Sequence, residues 1–255
     1  MKALITGATS GIGESLARLL ASKGIALILT GRNESKLQGL KAELSSQIAV
    51  ETIAADLQDK NDRAKLVQII REDSIDLLIN NAGFGVYGPA ISKNTTELLN
   101  VLELNAAAVL ELTVEAAKTM VANNKKGIIM NISSVAAYHL IPNLAVYSAT
   151  KAFVNNFSET LDFELKPKGV RVLTACPGKV ATEFQTRASK GRVKLKAGGS
   201  VMSQEFAANE IWEQIQSKKS VHIFDWKYRF ATFISKFIPK YIALRLAASS
   251  MKHSD

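Results

Sequence analysis

Lys2-Ala3-Leu4-Ile5-Thr6-Gly7-Ala8-Thr9-Ser10-Gly11-Ile12-Gly13 opens the chain and decides how the rest is read. Ala3 to Thr6 is a short apolar run of strand type, and a helical pattern begins near Ile12 and runs to Lys23. Between them the glycines stand as Gly7-x3-Gly11-x-Gly13. Glycine at such places lets backbone turn tightly and come close to a bound group, and the positive end of the next helix attracts a pyrophosphate. The spacing is not G-x-G-x-x-G, so a turn of purely structural use is the alternative reading. Strand, glycine turn and helix in that order predict the first unit of a parallel α/β sheet.

The pattern repeats outward from that unit. Further strand-like runs lie at Ala26–Thr30, Ala49–Ala54, Ile75–Ile79, Gly127–Ile132, Val170–Ala175 and Val221–Phe224. Helical patterns fall between them near Glu34–Ser45, Asp59–Arg71, Glu97–Ala122, Ala145–Leu165 and Gln204–Gln216. Alternation with short connections implies seven parallel strands with helices on both faces, a doubly wound Rossmann-like sheet. Leu77-Leu78-Ile79 and Ile128-Ile129-Met130 are apolar on successive positions, as strands covered on both faces should be. One catalytic domain over 1–225 is expected, with 226–255 as a helical extension of it.

Of the 255 residues, 47% are hydrophobic and 22% charged, ordinary for a soluble globular chain. The single cysteine, Cys176, excludes an internal disulfide; at the end of a buried strand it reads as a packed, inert thiol. A strand beginning at once after Lys2 leaves no signal-peptide pattern, and no uncharged apolar run approaches the ~20 residues that span a bilayer. A cytoplasmic location is therefore the expectation, with peripheral contact at the inner membrane surface left open. The net charge is +9, and thirteen Lys/Arg against five Asp/Glu fall after residue 186. No His, Cys and acid spacing suggests a metal site; His222 and His253 stand apart from other ligands.

Chemistry enters with Tyr147 and Lys151. Four apart on a helix, they share a face one turn from each other. A free tyrosine titrates near 10, too high for easy proton transfer at pH 7, and a nearby ammonium favours the phenolate. Ser134 can aim a hydroxyl at the same spot and hold a carbonyl or alkoxide oxygen. Such a set suits interconversion of a carbonyl and an alcohol, with a nicotinamide cofactor carrying the hydride.

The cofactor reading has support at successive strand ends. Asn80-Asn81-Ala82-Gly83 follows the fourth strand, where a turn of small residues could pass a ribose. Asp56 and Leu57 follow the third, where a carboxylate could meet an adenine edge; either segment could instead be a turn or cap. The second strand ends Thr30-Gly31-Arg32-Asn33 without the acid that holds a ribose 2′-hydroxyl. Arg32 could grip a 2′-phosphate, so NADP(H) is expected over NAD(H).

Taken in order, the Thr6-Gly7-x3-Gly11-x-Gly13 turn, Asp56, Asn80 to Gly83, Asn105, Ser134, Tyr147-x3-Lys151 and Pro177-Gly178-x3-Thr182 resemble the short-chain dehydrogenase/reductase family over nearly the whole chain. The nearest likeness is to bacterial NADP-dependent oxidoreductases, with the hydroxysteroid and 3-ketoacyl reductase branches also similar. The resemblance implies Tyr147 as general acid or base, Ser134 on the substrate oxygen, and Lys151 on the nicotinamide ribose, lowering the tyrosine pKa. It implies that Asn105 holds a water linking Lys151 to solvent, and that Ser133 is structural or supports the Ser134 site. Thr6, Gly7, Ser10, Gly11, Ile12 and Gly13 would form the pyrophosphate turn. Asn81, Ala82 and Gly83 would meet the ribose, and Pro177, Gly178, Val180 and Thr182 the nicotinamide side. Family members are commonly dimers or tetramers joined through the helices read at Glu97–Ala122 and Ala145–Leu165.

Three segments remain. Leu140, Ile141, Pro142, Asn143 and Leu144 should make the substrate pocket partly apolar, with Tyr138 nearby and His139 at its rim. Residues 182–201 carry Arg187, Lys190, Arg192, Lys194 and Lys196 and read as a mobile connection that could serve as a substrate lid. From Trp226, aromatic and aliphatic residues recur at helical spacing with Lys227, Arg229, Lys236 and Lys240 between them. That stripe is expected to pack on the body, a second subunit or the cleft; a lipid surface is the alternative. No nucleic-acid motif is present. The competing functional reading is a catalytically silent cofactor-binding regulator on the same fold.

Overall fold

The seven strand segments form one parallel sheet in the order β3-β2-β1-β4-β5-β6-β7, flanked by helices on both faces in a Rossmann-like arrangement. The computed structural model describes residues 1–73, 75–191, 196–199, 201–235, 237–239, 241–242 and 244–245. The strands are β1 (Lys2–Thr6), β2 (Ala26–Gly31), β3 (Val50–Ala54), β4 (Leu77–Asn80), β5 (Ile128–Ile132), β6 (Arg171–Cys176) and β7 (Val221–Ile223). β1 pairs with β2 at Ala3↔Leu27 and with β4 at Ala3↔Leu77. The sheet order therefore reverses between β1 and β4, and the carboxyl ends of those strands open a crevice there.

Alternation within the strands divides the core in two. Ala3 and Ile5 face the layer of α1 (Gly11–Ser22), α2 (Glu34–Leu44) and α8 (Gln204–Ser217), packing with Leu16, Leu20, Leu37, Ile211 and Ile215. Leu4 and Ile28 face the other side, where α3 (Lys60–Glu72) and α5 (Ala108–Ala122) supply Leu66, Ile70, Leu112 and Met120. Each such Leu, Ile or Met side chain, withdrawn from water, contributes ~1.5–3 kcal/mol. Helix starts follow the sequence as well: Asn33, Asp59, Asn94 and Ser203 accept first-turn amide protons of α2, α3, α4 (Thr95–Leu102) and α8.

Three departures matter for the site. The helix expected over Glu97–Ala122 starts at Thr95 and is broken by a π-helical turn at Glu103–Ala107, which holds Asn105. The connection after β6 is not irregular throughout. Thr182 caps a short helix, α7 (Glu183–Ala188), and Val180 bridges Met202. Six residues are too few to show a helical period, which hides α7 in a basic run. Arg192 and Lys194 of that run lie outside the described residues. Finally, α9 (Trp226–Ser235) turns its large apolar residues outward: Trp226, Phe230 and Phe233 are exposed, and Thr232 is the residue it buries. Trp226, Phe230 and Phe233 therefore do not pack on the body within the chain, whereas Ile238 and Leu244 of the same stripe line the cleft, one of the places expected for it. Lys236, Lys240, Leu246 and His253 lie outside the described residues.

Candidate active site

A cleft of about 2060 Å³ opens at the carboxyl ends of the strands, ample for a dinucleotide and a small substrate together. Its floor is the glycine turn. Thr6 Oγ1 accepts the amide protons of Asn81 (3.0 Å) and Ala82 (3.0 Å), tying the end of β1 to the segment after β4. Asn81 Nδ2 in turn donates to the carbonyls of Thr6 (2.9 Å) and Gly7 (3.1 Å). A side chain on Gly13 would run into Asn81 Nδ2 and the Gly7 carbonyl, and one on Gly7 would come within 2.9 Å of Ala82 Cα. Glycine is required because two backbone segments cross there in contact.

The N-terminus of α1 points into this floor. Ser10 is its N-cap, yet its side chain caps no amide, while Ser10, Gly11 and Ile12 line the cleft. Uncapped amides at a helix start fit an anionic group such as a pyrophosphate. Along the same wall, Arg32 and Asp56 face each other, Arg32 Nη1 3.9 Å from Asp56 Oδ2, and both are well exposed. The Asp56 carboxylate also accepts the Gln58 amide proton at 3.1 Å. Leu57 completes that end of the lining. The residues present thus fit a nicotinamide dinucleotide.

The other half of the cleft is built on β5 and α6 (Ala145–Leu165). Ser134, the residue that leaves β5 for a 3₁₀ turn at Val135–Tyr138, accepts the Ala136 amide proton at 3.1 Å. Its hydroxyl is hydrogen-bonded to that of Tyr147. Lys151 Nζ lies 5.8 Å from the centre of the Tyr147 ring and donates to the Ile132 carbonyl at 2.8 Å. Ser133 donates to the Lys151 carbonyl at 3.0 Å. Ser134, Tyr147 and Lys151 therefore converge on one point of the wall.

Burial sets the titration of this group. It pushes the Tyr147 phenol up to about 12, with the Ser134 hydrogen bond acting in the opposite direction. Burial outweighs that hydrogen bond. The same burial pulls the Lys151 ammonium down to about 8. It pushes the Cys176 thiol up to about 12, leaving it inert, and it also raises Tyr138 and lowers His139.

Most residues singled out in the sequence reach the cleft: Gly7, Ala82, Gly83, Pro177, Gly178, Val180 and Thr182 line it with those already placed. Thr6, Gly13 and Asn105 do not line it; they stand behind it. Asn105 is fully buried, accepts the Phe84 amide proton (3.1 Å), and donates to the Phe84 carbonyl (2.8 Å) and Thr150 Oγ1 (3.3 Å). Its side chain fixes the Phe84 segment against α6.

Sequence reasoning missed four contributors. Phe184, on α7, lies against Tyr147 with ring centres 5.1 Å apart. Tyr228 of α9 sits where any side chain at Gly178 would go, and its hydroxyl accepts the Lys179 amide proton at 3.4 Å. Gly85 fits beneath Phe184 and Tyr147. Asn131, buried in β5, accepts from Asn80 (2.8 Å) and Thr113 (3.2 Å) and donates to Ser158 (2.9 Å). Only Asn131 left a signal, as an amide inside the apolar run Ile128–Ile132.

Comparison with known proteins agrees with this geometry. A family profile described as short chain dehydrogenase matches residues 1–192. The chain is 37% identical to very-long-chain 3-oxoacyl-CoA reductase of Bos taurus over 71% of its length, a match spanning 60% of that protein. It is 34% identical to serine 3-dehydrogenase of Agrobacterium fabrum, over 86% of this chain and 90% of that one. Among solved structures, a short-chain dehydrogenase from Sphingobium yanoikuyae in complex with NADPH superposes with a TM-score of 0.84 at 31% identity, covering 92% of both chains. With its parallel seven-stranded sheet and a profile match over three quarters of its length, the chain belongs to the short-chain dehydrogenase/reductase family.

Proposed function

We propose that this oxidoreductase interconverts a ketone or aldehyde and an alcohol with NADP(H), and that Tyr147 is its general acid and base. The convergence of the Ser134 and Tyr147 hydroxyls, backed by the Lys151 ammonium, carries this reading. A bound nicotinamide supplies the hydride in reduction and takes it up in oxidation. Ser134 holds the substrate oxygen by a hydrogen bond. Tyr147 gives its proton to that oxygen as negative charge develops, and recovers one from the alcohol in the reverse direction. Tyr147 carries its proton at neutral pH, the form that reduction needs, and the Ser134 hydrogen bond acts against the rise that burial imposes. Lys151 keeps positive charge 5.8 Å from the ring centre of Tyr147 as that phenol loses its proton.

Arg32 supports NADP(H) over NAD(H), because a guanidinium at the end of β2 matches a 2′-phosphate and Gly31 offers no competing acid. NADPH in the Sphingobium yanoikuyae relative points the same way. Leu140, Ile141, Pro142 and Leu144 line the cleft together with Phe84, Val86 and Phe184, which supports a substrate that is apolar around its carbonyl. Exposed Leu110 on α5 and Phe153 and Phe163 on α6 support a homo-oligomer joined through those helices. The test is NADPH consumption against apolar ketones and aldehydes beside sugar-like and acidic carbonyl compounds. Turnover confined to the polar set would contradict the apolar assignment.

A further inference from the structure

We propose that α9, with Phe237, Tyr241 and Ile242 after it, forms a docking surface for an anionic lipid bilayer, at the mouth of the cleft. The helix has two unlike stripes. Tyr228, Thr232 and Ser235, spaced by four and three, face the body, where Tyr228 packs on Gly178 and Thr232 is buried. Trp226, Phe230 and Phe233, with the same spacing, face outward and are each more than half exposed. Phe237 continues the outward stripe, its ring 5.3 Å from that of Phe233, and Tyr241 and Ile242 extend it. A run of large apolar side chains directed at water on one helix face marks an interaction surface.

Charge chooses the occupant. Between Trp226 and Asp255 the sequence has six Lys/Arg and a single acid, the last residue. Lys227 and Arg229 flank the aromatic stripe, both exposed, and Arg245 stacks on Tyr241 at 4.4 Å. The acid just before the helix, Asp225, is engaged with the Lys227 amide. Aromatic residues flanked by cations match an anionic headgroup layer, the rings entering the interface and the cations staying among the phosphates. A second copy fits less well, since a symmetric contact would set these cations against themselves. No helix among the described residues is long and apolar enough to cross a membrane, so contact would be peripheral.

The position of the surface adds to the argument. Ala231, Thr232, Ser235, Ile238 and Leu244, from this same segment, line the cleft. Docking through the outward stripe brings the cleft mouth to the headgroup layer.

The experiment is co-sedimentation of the full chain with vesicles of phosphatidylglycerol and phosphatidylcholine, and with vesicles of phosphatidylcholine alone. The expected result is binding to the anionic vesicles that is weaker by about tenfold or more on the neutral ones and falls as salt rises. Phe230→Ser combined with Phe233→Ser should remove the binding. So should Lys227→Glu with Arg229→Glu, a second, exposed pair whose reversal spares the apolar stripe. Circular dichroism and the thermal midpoint of each variant show that it is folded. No binding by the parent chain, or binding unchanged in both folded variants, overturns the proposal. So does a fall in solution mass for the Phe variant, which would assign the stripe to a second copy.

Discussion

The Phe184 ring lies against the Tyr147 ring, centres 5.1 Å apart and planes inclined at 51°. One belongs to α7 in the basic segment after β6, the other to α6, so the contact closes the segment over the proposed proton donor. The segment is held from its other side too, the Tyr87 amide donating to the Ala188 carbonyl at 2.9 Å and Lys190 pairing with Glu97 at 3.3 Å. Phe184→Ala should lower kcat/KM about 2- to 10-fold, the ~0.5–1.5 kcal/mol that such a ring pair contributes. Steady-state kinetics on any accepted substrate measures it, and an unchanged value would remove α7 from the site.

Arg32 should discriminate between the two nicotinamide cofactors. A charge-assisted hydrogen bond contributes ~1.5–3 kcal/mol, so Arg32→Ala should weaken NADPH binding by about tenfold or more. NADH binding should hardly change. Fluorescence titration with each cofactor separates the two, and equal loss for both would mean that Arg32 acts on the fold of the wall instead.

Lys151 gives a pH signature. Burial brings its folded pKa from 10.5 down to about 8, so between those values the unfolded chain binds the proton more tightly than the folded one. Stability from this group therefore rises with pH across that window, by up to ~1.4 kcal/mol per pH unit. Cys176 acts oppositely above pH 9, because its folded pKa is raised from 9.0 to about 12 and the unfolded thiol ionises first. Comparison with Lys151→Met isolates the lysine: between pH 8 and 10 the parent should gain about 2 kcal/mol on the variant. Urea unfolding at the two pH values reads the difference.

Asp162 anchors the helix that carries Tyr147. Its carboxylate accepts from Arg171 Nε (2.8 Å) and Nη2 (2.9 Å), the Val172 amide (2.8 Å) and Ser220 Oγ (2.6 Å), joining α6 to β6 and the approach to β7. Burial works to raise its pKa, but these bonds to Arg171, Ser220 and Val172 hold it below 3.8. Its contribution is present above that value and is lost as pH falls through the lower folded one. Asp162→Ala leaves Arg171 partly buried without its partner, which should cost about 3–5 kcal/mol in urea unfolding at pH 7.

Much of this was legible in the sequence, for physical reasons. Buried parallel strands such as Leu77 to Ile79 must be apolar on both faces, and glycine at positions 7 and 13 answers to a close backbone crossing. Tyr147 and Lys151 lie one turn apart on α6 and Ser134 follows the end of β5, so the three could be placed together. What stayed hidden was tertiary. Asn105 gave no sign that its side chain would be taken up by the Phe84 backbone. Nothing near Tyr228 indicated its seat on Gly178. Periodicity showed the apolar stripe of α9 but could not say which way it faces.

The central claim is that Tyr147 moves the proton. Tyr147→Phe keeps the ring against Phe184 and removes only the hydroxyl, so cofactor binding and reduction can be measured on the same preparation. The expected result is NADPH bound as tightly as by the parent, with substrate-dependent loss of reduced-nicotinamide absorbance slowed by about 10²-fold or more. Turnover retained in Tyr147→Phe would contradict the account.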